Sequence, residues 1–157
     1  MLIAGIDPGT NGAIAVLDSE NPDSVALLDL KNNSIIDIHN WLVEKFDYKL
    51  RIFWIEDVHS MFGMSAKSNF GFGKNIGKIT AVAELYNHEL SITVTPKVWQ
   101  KFIGVTAKGK AIKKEVAKIA QRLYPNAELH GKRGGLLDGR ADALMIAHYG
   151  LNHTEEE

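Results

Sequence analysis

Asp138 and Asp142 stand one helical turn apart at the head of the apolar segment LLDGRADALMIAHYG, residues 136–150. Like charges at i and i+4 share a helix face and repel by roughly a few tenths of a kcal/mol in water, and by more when desolvated. Two other apolar runs also end in acids: LIAGID in Asp7, and RIFWIED in Glu56 and Asp57. Each acid alone has an ordinary explanation. Asp7 can open the DPGT turn, Glu56 and Asp57 can mark a strand leaving for solvent, and Asp138 and Asp142 can serve a helix cap and dipole. Together they describe carboxylates meeting at a dry edge with no matched Arg or Lys nearby in sequence, an unfavourable arrangement unless pKa values shift or cations bind. Oxygen donors without His or Cys suit Mg²⁺ or Mn²⁺. Two such ions about 3.5–4 Å apart serve in-line displacement at phosphorus.

Only particular elements would bring those acids together. LIAGID and AIAVLD flank the turn formers PGTNG, an Asn-Gly hairpin signal, and SVALLDL adds a third strand. SIIDIHNWLVEKF has apolar residues at helical spacing behind Ser34, a candidate N-cap. RIFWIED reads as a strand buried on both faces, NIGKITAVAELYNHEL as a helix and SITVTP as a strand closed by Pro96. Two helices follow, AIKKEVAKIAQRLYP and LLDGRADALMIAHYGL, separated by the glycine-rich basic loop NAELHGKRGG. This order predicts an α/β fold with a mixed sheet, antiparallel at first and parallel later. The acids converge if the last helix crosses the sheet near the ends of strands one and four, with Asp138 and Asp142 on the face of Met145, Ile146 and Tyr149. Gly5, Ala141 and Ala143 would permit the close approach.

The 157 residues fit one domain, 1–151, followed by an acidic tail, 152–157. Without cysteine there are no disulfides, thiolate zinc sites or cysteine nucleophiles. The first apolar run stops at Asp7, too short for a signal peptide or membrane span, so a soluble cytoplasmic protein is expected. A net charge of −1 conceals segregation: Val58 to Ala83 holds three lysines and no acid, and Lys97 to Lys114 six lysines and no acid. MSAKSNFGFGKNIGK interleaves Lys67, Phe70, Phe72, Lys74 and Lys78 with glycines. Such lysines neutralise phosphates, and an exposed aromatic can stack on an unpaired base. Phe72 reads rather as a core or dimer residue, Phe70 as either, and glycines 71, 73 and 77 would let a helix start pack against a partner. TAKGKAIKKE places Lys108 and Lys110 in a loop and Lys113 and Lys114 on the first turns of a helix, where they oppose the macrodipole unless an anion binds. Lys132 and Arg133, just before the acidic helix, could touch a nucleic-acid backbone as well.

AGIDPGTNGAIAVLD, FWIEDVHSM, FGFGKNIGKITAV, VTPKVWQK, AKGKAIKKEVA and LLDGRADALMIAHYG occur in the order, and near the spacing, of the RuvC-like Holliday-junction resolvases. The chain resembles most the versions carried by bacteriophages, over about residues 2 to 151. The resemblance implies an RNase H-like fold, a five-stranded mixed sheet flanked by helices, and a homodimer acting on four-way DNA junctions. It implies a D-E-D-D set holding two Mg²⁺ ions, replaceable by Mn²⁺: Asp7 bridging both, Glu56 as the strand-four carboxylate, Asp142 as the last-helix ligand and Asp138 completing the cluster. Asp57 fits the pattern less well and is left beside the cluster or facing solvent. A lysine of this region lies near the active site in the family, which points to Lys110 or Lys113 as the scissile-phosphate contact. Two departures stand out. The last two acids are four residues apart, as in viral and mitochondrial members, instead of three as in cellular bacterial ones. His59 occupies the position where bacterial members carry an aromatic near the crossover, and could stack on a base or contact phosphate.

The implied activity is a structure-selective endonuclease that hydrolyses junction strands to 5′-phosphate and 3′-hydroxyl ends, with no membrane or small-molecule substrate. A phage origin would place it in the host-cell cytoplasm. Three alternatives remain: a nuclease of the same fold acting on forks or flaps, an actin-like phosphotransferase, whose first phosphate loop IDPGTNGAIAVLD resembles, and a junction-binding protein without catalysis.

Overall fold

The computed structural model describes residues 1–58, 64–86 and 90–154. Strand β1 (Leu2–Asp7) is the middle of a five-stranded sheet ordered β3-β2-β1-β4-β5. That position explains its apolar run: Ile3, Ala4 and Ile6 are all but inaccessible to solvent. β2 (Ala13–Asp18) and β3 (Asn21–Asp29) continue antiparallel, while β4 (Ile52–Glu56) and β5 (Leu90–Val94) run parallel to β1. The mixed α/β sheet expected from the sequence is the one observed. Ile6 pairs with Ile55, so Asp7 and Glu56, one step further along each strand, finish at the same carboxyl edge.

Alternate strand residues feed two cores. Ile3, Ala13, Ala15, Leu17 and Trp54 face α3 (Pro96–Phe102), α4 (Ala111–Leu123) and α5 (Asp138–His153). Ala4, Ile6, Ile14, Val16 and Phe53 face α1 (Ile35–Phe46) and α2 (Ala66–Tyr86). Ser34 caps α1 as expected, in a reciprocal box with Asp37.

Three local expectations change. The hairpin is present, but its loop spans residues 8–12, closed by Gly12 N–H donating to Gly9 O at 2.9 Å. Neither Asn11 nor Gly12 has positive φ, so this is not a two-residue Asn-Gly turn. Gly12 is required for another reason: a Cβ there would lie 1.9 Å from the Asp7 carbonyl. Second, α2 starts nine residues before the expected Asn75 and runs through Gly71, Gly73 and Gly77. Ser65 holds its first turn, accepting from Ser68 N–H at 3.1 Å, and the apolar second half docks the whole helix on the sheet. Third, Pro96 does not close β5; it opens α3, where its fixed φ and missing N–H are best tolerated.

Candidate active site

The site is built on the last helix's approach to the central strand. A Cβ on Gly5 would sit 2.1 Å from Ala147 N and 2.3 Å from Ala143 O, so only a bare backbone allows α5 to lie this close to β1. Gly139 repeats the contact one end along, where a Cβ would meet Asn11 O at 2.0 Å. Arg140 then pins the head of α5 to the outer strand: Nε and Nη2 donate to the Asp29 carboxylate at 2.7 and 2.9 Å, and Nη1 to the Glu128 carbonyl at 2.9 Å. Met145 and Ile146 are fully buried, which turns their face, shared with Asp138 and Asp142, inward. Asp138 is the first helical residue and not a cap; Leu137 holds the cap position without a side-chain bond.

Electrostatic interaction ties Asp7, Glu56, Asp138 and Asp142 into one group. Burial raises the Asp142 carboxyl to about 8, assisted by repulsion from Asp7, Glu56 and Asp138 and opposed by Lys113. Glu56 is pushed up to about 7, first by burial and then by Asp7, against a hydrogen bond from Trp99. Asp7 is also raised, chiefly by burial, although Gly9 N–H donates to its Oδ1 at 2.8 Å. The strand-end and helix-head acids therefore form a set in which ionisation of each opposes that of its neighbours.

One cation enters this set. Lys113, on the first turns of α4, donates to Asp138, and its own pKa rises through that bond. The pairing spans 25 residues of sequence, so the apparent lack of a nearby base does not survive folding. Asp57 is half-buried beside the cluster, and its N–H donates to Val94 O at 2.8 Å.

Hard oxygen donors, four in number and short of positive charge, are the chemistry a divalent cation such as Mg²⁺ needs. The donors fit such an ion in type and charge. Among the described residues, no three acidic or imidazole groups are placed so as to hold an ion together; Lys113 donates to Asp138 and Trp99 to one oxygen of Glu56.

The other basic candidates lie on α2, at the head of α4 and in the turn before α5. Lys67, Phe70 and Lys74 are exposed along the first half of α2, and Phe70 is 76% accessible. Asn75 ties this helix to the acidic edge, donating to Gly9 O at 3.0 Å in the loop after Asp7. Phe72 is half-buried. Lys78 is spent on the carbonyls of Leu30 and Asn33. Lys108, Lys110 and Lys114 are exposed around the head of α4, and Lys132 and Arg133 in the turn between His130 and Leu136. His59 lies outside the described residues.

Two residues escape the sequence reading. Trp99 on α3 is fully buried, and its Nε1 donates to Glu56 Oε1 at 2.9 Å. Thr95-Pro96, an N-cap type followed by an N1 proline, was its available signal. Arg140, set between the two helix acids, gave none, because its partner lies 111 residues away.

The mixed five-stranded sheet with helices on both faces makes an α/β fold that matches the folds of RuvC-like, RNase H-like resolvases. No protein-family profile and no curated protein matches the chain by sequence. Solved structures do match. RuvC of T. thermophilus in complex with a Holliday junction substrate superposes with a TM-score of 0.61 over 98% of both chains, at 18% identity. The yeast mitochondrial Holliday junction resolvase Ydc2 gives 0.54 over 92% of this chain and 75% of its own, at 16% identity. Fowlpox virus resolvase, complexed with its substrate Holliday junction DNA, gives 0.53 over 97% of both, at 16% identity. No helix among the described residues is long and apolar enough to cross a membrane.

Proposed function

We propose that the chain is a divalent-metal-dependent endonuclease that resolves four-way DNA junctions as a homodimer. The observation that carries this reading is the convergence of four acids at the edge of β1, β4 and α5, where burial and mutual repulsion disfavour the ionised forms of Asp7, Glu56 and Asp142. Asp7, Glu56, Asp138 and Asp142 would hold Mg²⁺ or Mn²⁺, two ions by analogy with phosphodiester hydrolases. Held there, such ions would lower the pKa of the attacking water, so that its nucleophilic deprotonated form is available at neutral pH, and would offset charge on the leaving oxygen. The rest falls to the chain's own groups. Asp7 is held in place by Gly9 N–H, and Lys113 stands where its ammonium can pass from Asp138 to a phosphate oxygen. Lys67, Lys74, Lys108, Lys110, Lys114, Lys132 and Arg133 are exposed and would supply phosphate-neutralising charge, and exposed Phe70 would offer a ring for stacking. Direct attack by water leaves 5′-phosphate and 3′-hydroxyl ends with no covalent enzyme intermediate. A dimer supplies the two sites that paired cuts require. The junction-bound neighbours support a branched substrate.

The test is end-labelled four-way junction incubated with Mg²⁺ or Ca²⁺, beside linear duplex, flap and fork substrates. The junction should be nicked in Mg²⁺ alone. Asp7→Asn should lower the rate by about a thousandfold or more while junction binding persists, since the ions carry several kcal/mol of transition-state stabilisation. Normal cutting by Asp7→Asn would overturn the site; faster cutting of flaps or forks would move the substrate.

A further inference from the structure

We infer that Trp99 is a positioning residue of the acidic site: its indole N–H fixes one oxygen of Glu56 and so presents the other to a bound divalent cation. The inference rests on the proposed role of Glu56 as a cation ligand and adds what holds that ligand still.

The chain path places the ring there. Glu56 ends β4 opposite Val94 of β5; Thr95 and Pro96 then turn the chain into α3, which brings Trp99 back over the end of β4. Val94, Val116, Ala143 and Ala147 belong to the same buried cluster as the ring, which is wholly inaccessible to solvent. Close packing of this kind restrains the ring's orientation. Its one polar atom is aimed at Glu56 Oε1, at 2.9 Å.

Indole chemistry suits the task. Trp is donor-only: the lone pair of Nε1 is delocalised into the ring, so this atom serves neither as a metal ligand nor as a proton acceptor. It also adds no charge, unlike Lys113 on Asp138, and so does not compete electrostatically with a bound ion. Glu56 needs such a partner more than its neighbours do, because it is the only one of the four acids with the extra methylene and its additional torsion. Each of the other tethered acids has its own donor, Gly9 N–H for Asp7 and Lys113 for Asp138. Among the described residues, Trp99 is the one hydrogen-bond donor to the Glu56 carboxylate.

The experiment removes the N–H and keeps the ring. 3-Benzothienylalanine at position 99 replaces N–H by sulfur in a bicycle of nearly the same shape, and Trp99→Phe is the second variant. Mn²⁺ affinity of the DNA-free chain is measured by calorimetry for the parent, both variants, Glu56→Gln, and Glu56→Gln carrying the benzothienyl ring. Orienting partners of metal ligands contribute about ten- to a hundredfold in affinity. Both Trp99 replacements should therefore weaken Mn²⁺ binding by about tenfold. The benzothienyl chain should keep the parent's thermal midpoint, and its half-saturating Mg²⁺ for junction cleavage should rise with little change in the rate at saturating Mg²⁺. In the Glu56→Gln background the ring swap should have no further effect. Unchanged Mn²⁺ affinity without the N–H, alongside a clear loss in Glu56→Gln, would show that Trp99 only fills the core. A loss that persists undiminished in Glu56→Gln would equally overturn the inference. If Glu56→Gln itself leaves Mn²⁺ affinity intact, the ligand role of Glu56 fails and the inference falls with it.

Discussion

Helices α5 and α2 are the two longest, and they meet the sheet in opposite ways. Eight of the sixteen residues of α5 are buried, and its backbone touches β1 directly at Gly5. Of the twenty-one residues of α2, Ile79, Val82, Ala83 and Tyr86 are buried, all in its second half. Its first half carries Phe70 in solvent, and a Cβ on Gly73 or Gly77 would meet nothing within 4 Å. Glycine therefore means different things on the two helices: on the α5 side it is the space two backbones require, on α2, at Gly73 and Gly77, it is space that none of the described residues fills. The difference follows the division of work proposed for the molecule. Acids that must be held within fractions of an ångström ride on the tightly packed helix. The α2 lysines, which would meet a flexible polyanion, sit on the loosely anchored one.

That contrast can be broken at several points. Gly5→Val forces a side chain into the backbone of Ala143 and Ala147, and should cost about 3 kcal/mol or more of stability in a denaturant titration. A wild-type midpoint would mean that α5 does not lie on β1 as described. Lys67→Ala with Lys74→Ala should leave the fold intact while weakening junction binding and flattening its salt dependence, by roughly 0.9 in the log–log slope per lost phosphate contact. An unchanged slope would remove α2 from the DNA-binding surface. Gly77→Ala should have the smallest effect and the opposite sign: a gain of about 0.5–1 kcal/mol, because alanine loses less backbone entropy in a helix and none of the described residues obstructs its Cβ. Destabilisation at Gly77, with a lower molecular mass in solution, would show that a second copy covers this face.

The strands and the mixed character of their sheet were legible because each strand carries its own signal: apolar runs of the right length, terminal acids, and turn formers between β1 and β2. The acids at the ends of β1 and β4 could be foreseen to meet because parallel neighbours finish at the same edge, as the pairing of Ile6 with Ile55 shows. What escaped was either local chemistry open to two readings or contact across the chain. Thr95-Pro96 reads equally as a strand end or a helix start, and α3 was lost with it. Gly71, Gly73 and Gly77 argue against a helix by intrinsic preference, yet docking of the apolar end carries the helix through them. The partners of Glu56 and Asp138, Trp99 and Lys113, lie 43 and 25 residues away, at distances no periodicity encodes.

The central claim is that these carboxylates exist to hold hard cations. The raised values of Asp7, Glu56 and Asp142 set a direction for the cation-free chain: a carboxyl raised in the folded state binds more protons there than in the unfolded chain, so its stabilising contribution is full below about pH 4. That contribution is lost as pH rises toward 7 for Glu56 and 8 for Asp142. The direct measurement is the thermal midpoint of the DNA-free protein at pH 5 and pH 8, titrated with Mg²⁺ or Mn²⁺. The account predicts a cation-dependent rise that is large at pH 8 and small at pH 5, and an Asp142→Asn chain that is more stable than the parent at pH 8 without cation and gains less from it. A midpoint indifferent to both ions at pH 8 would contradict it.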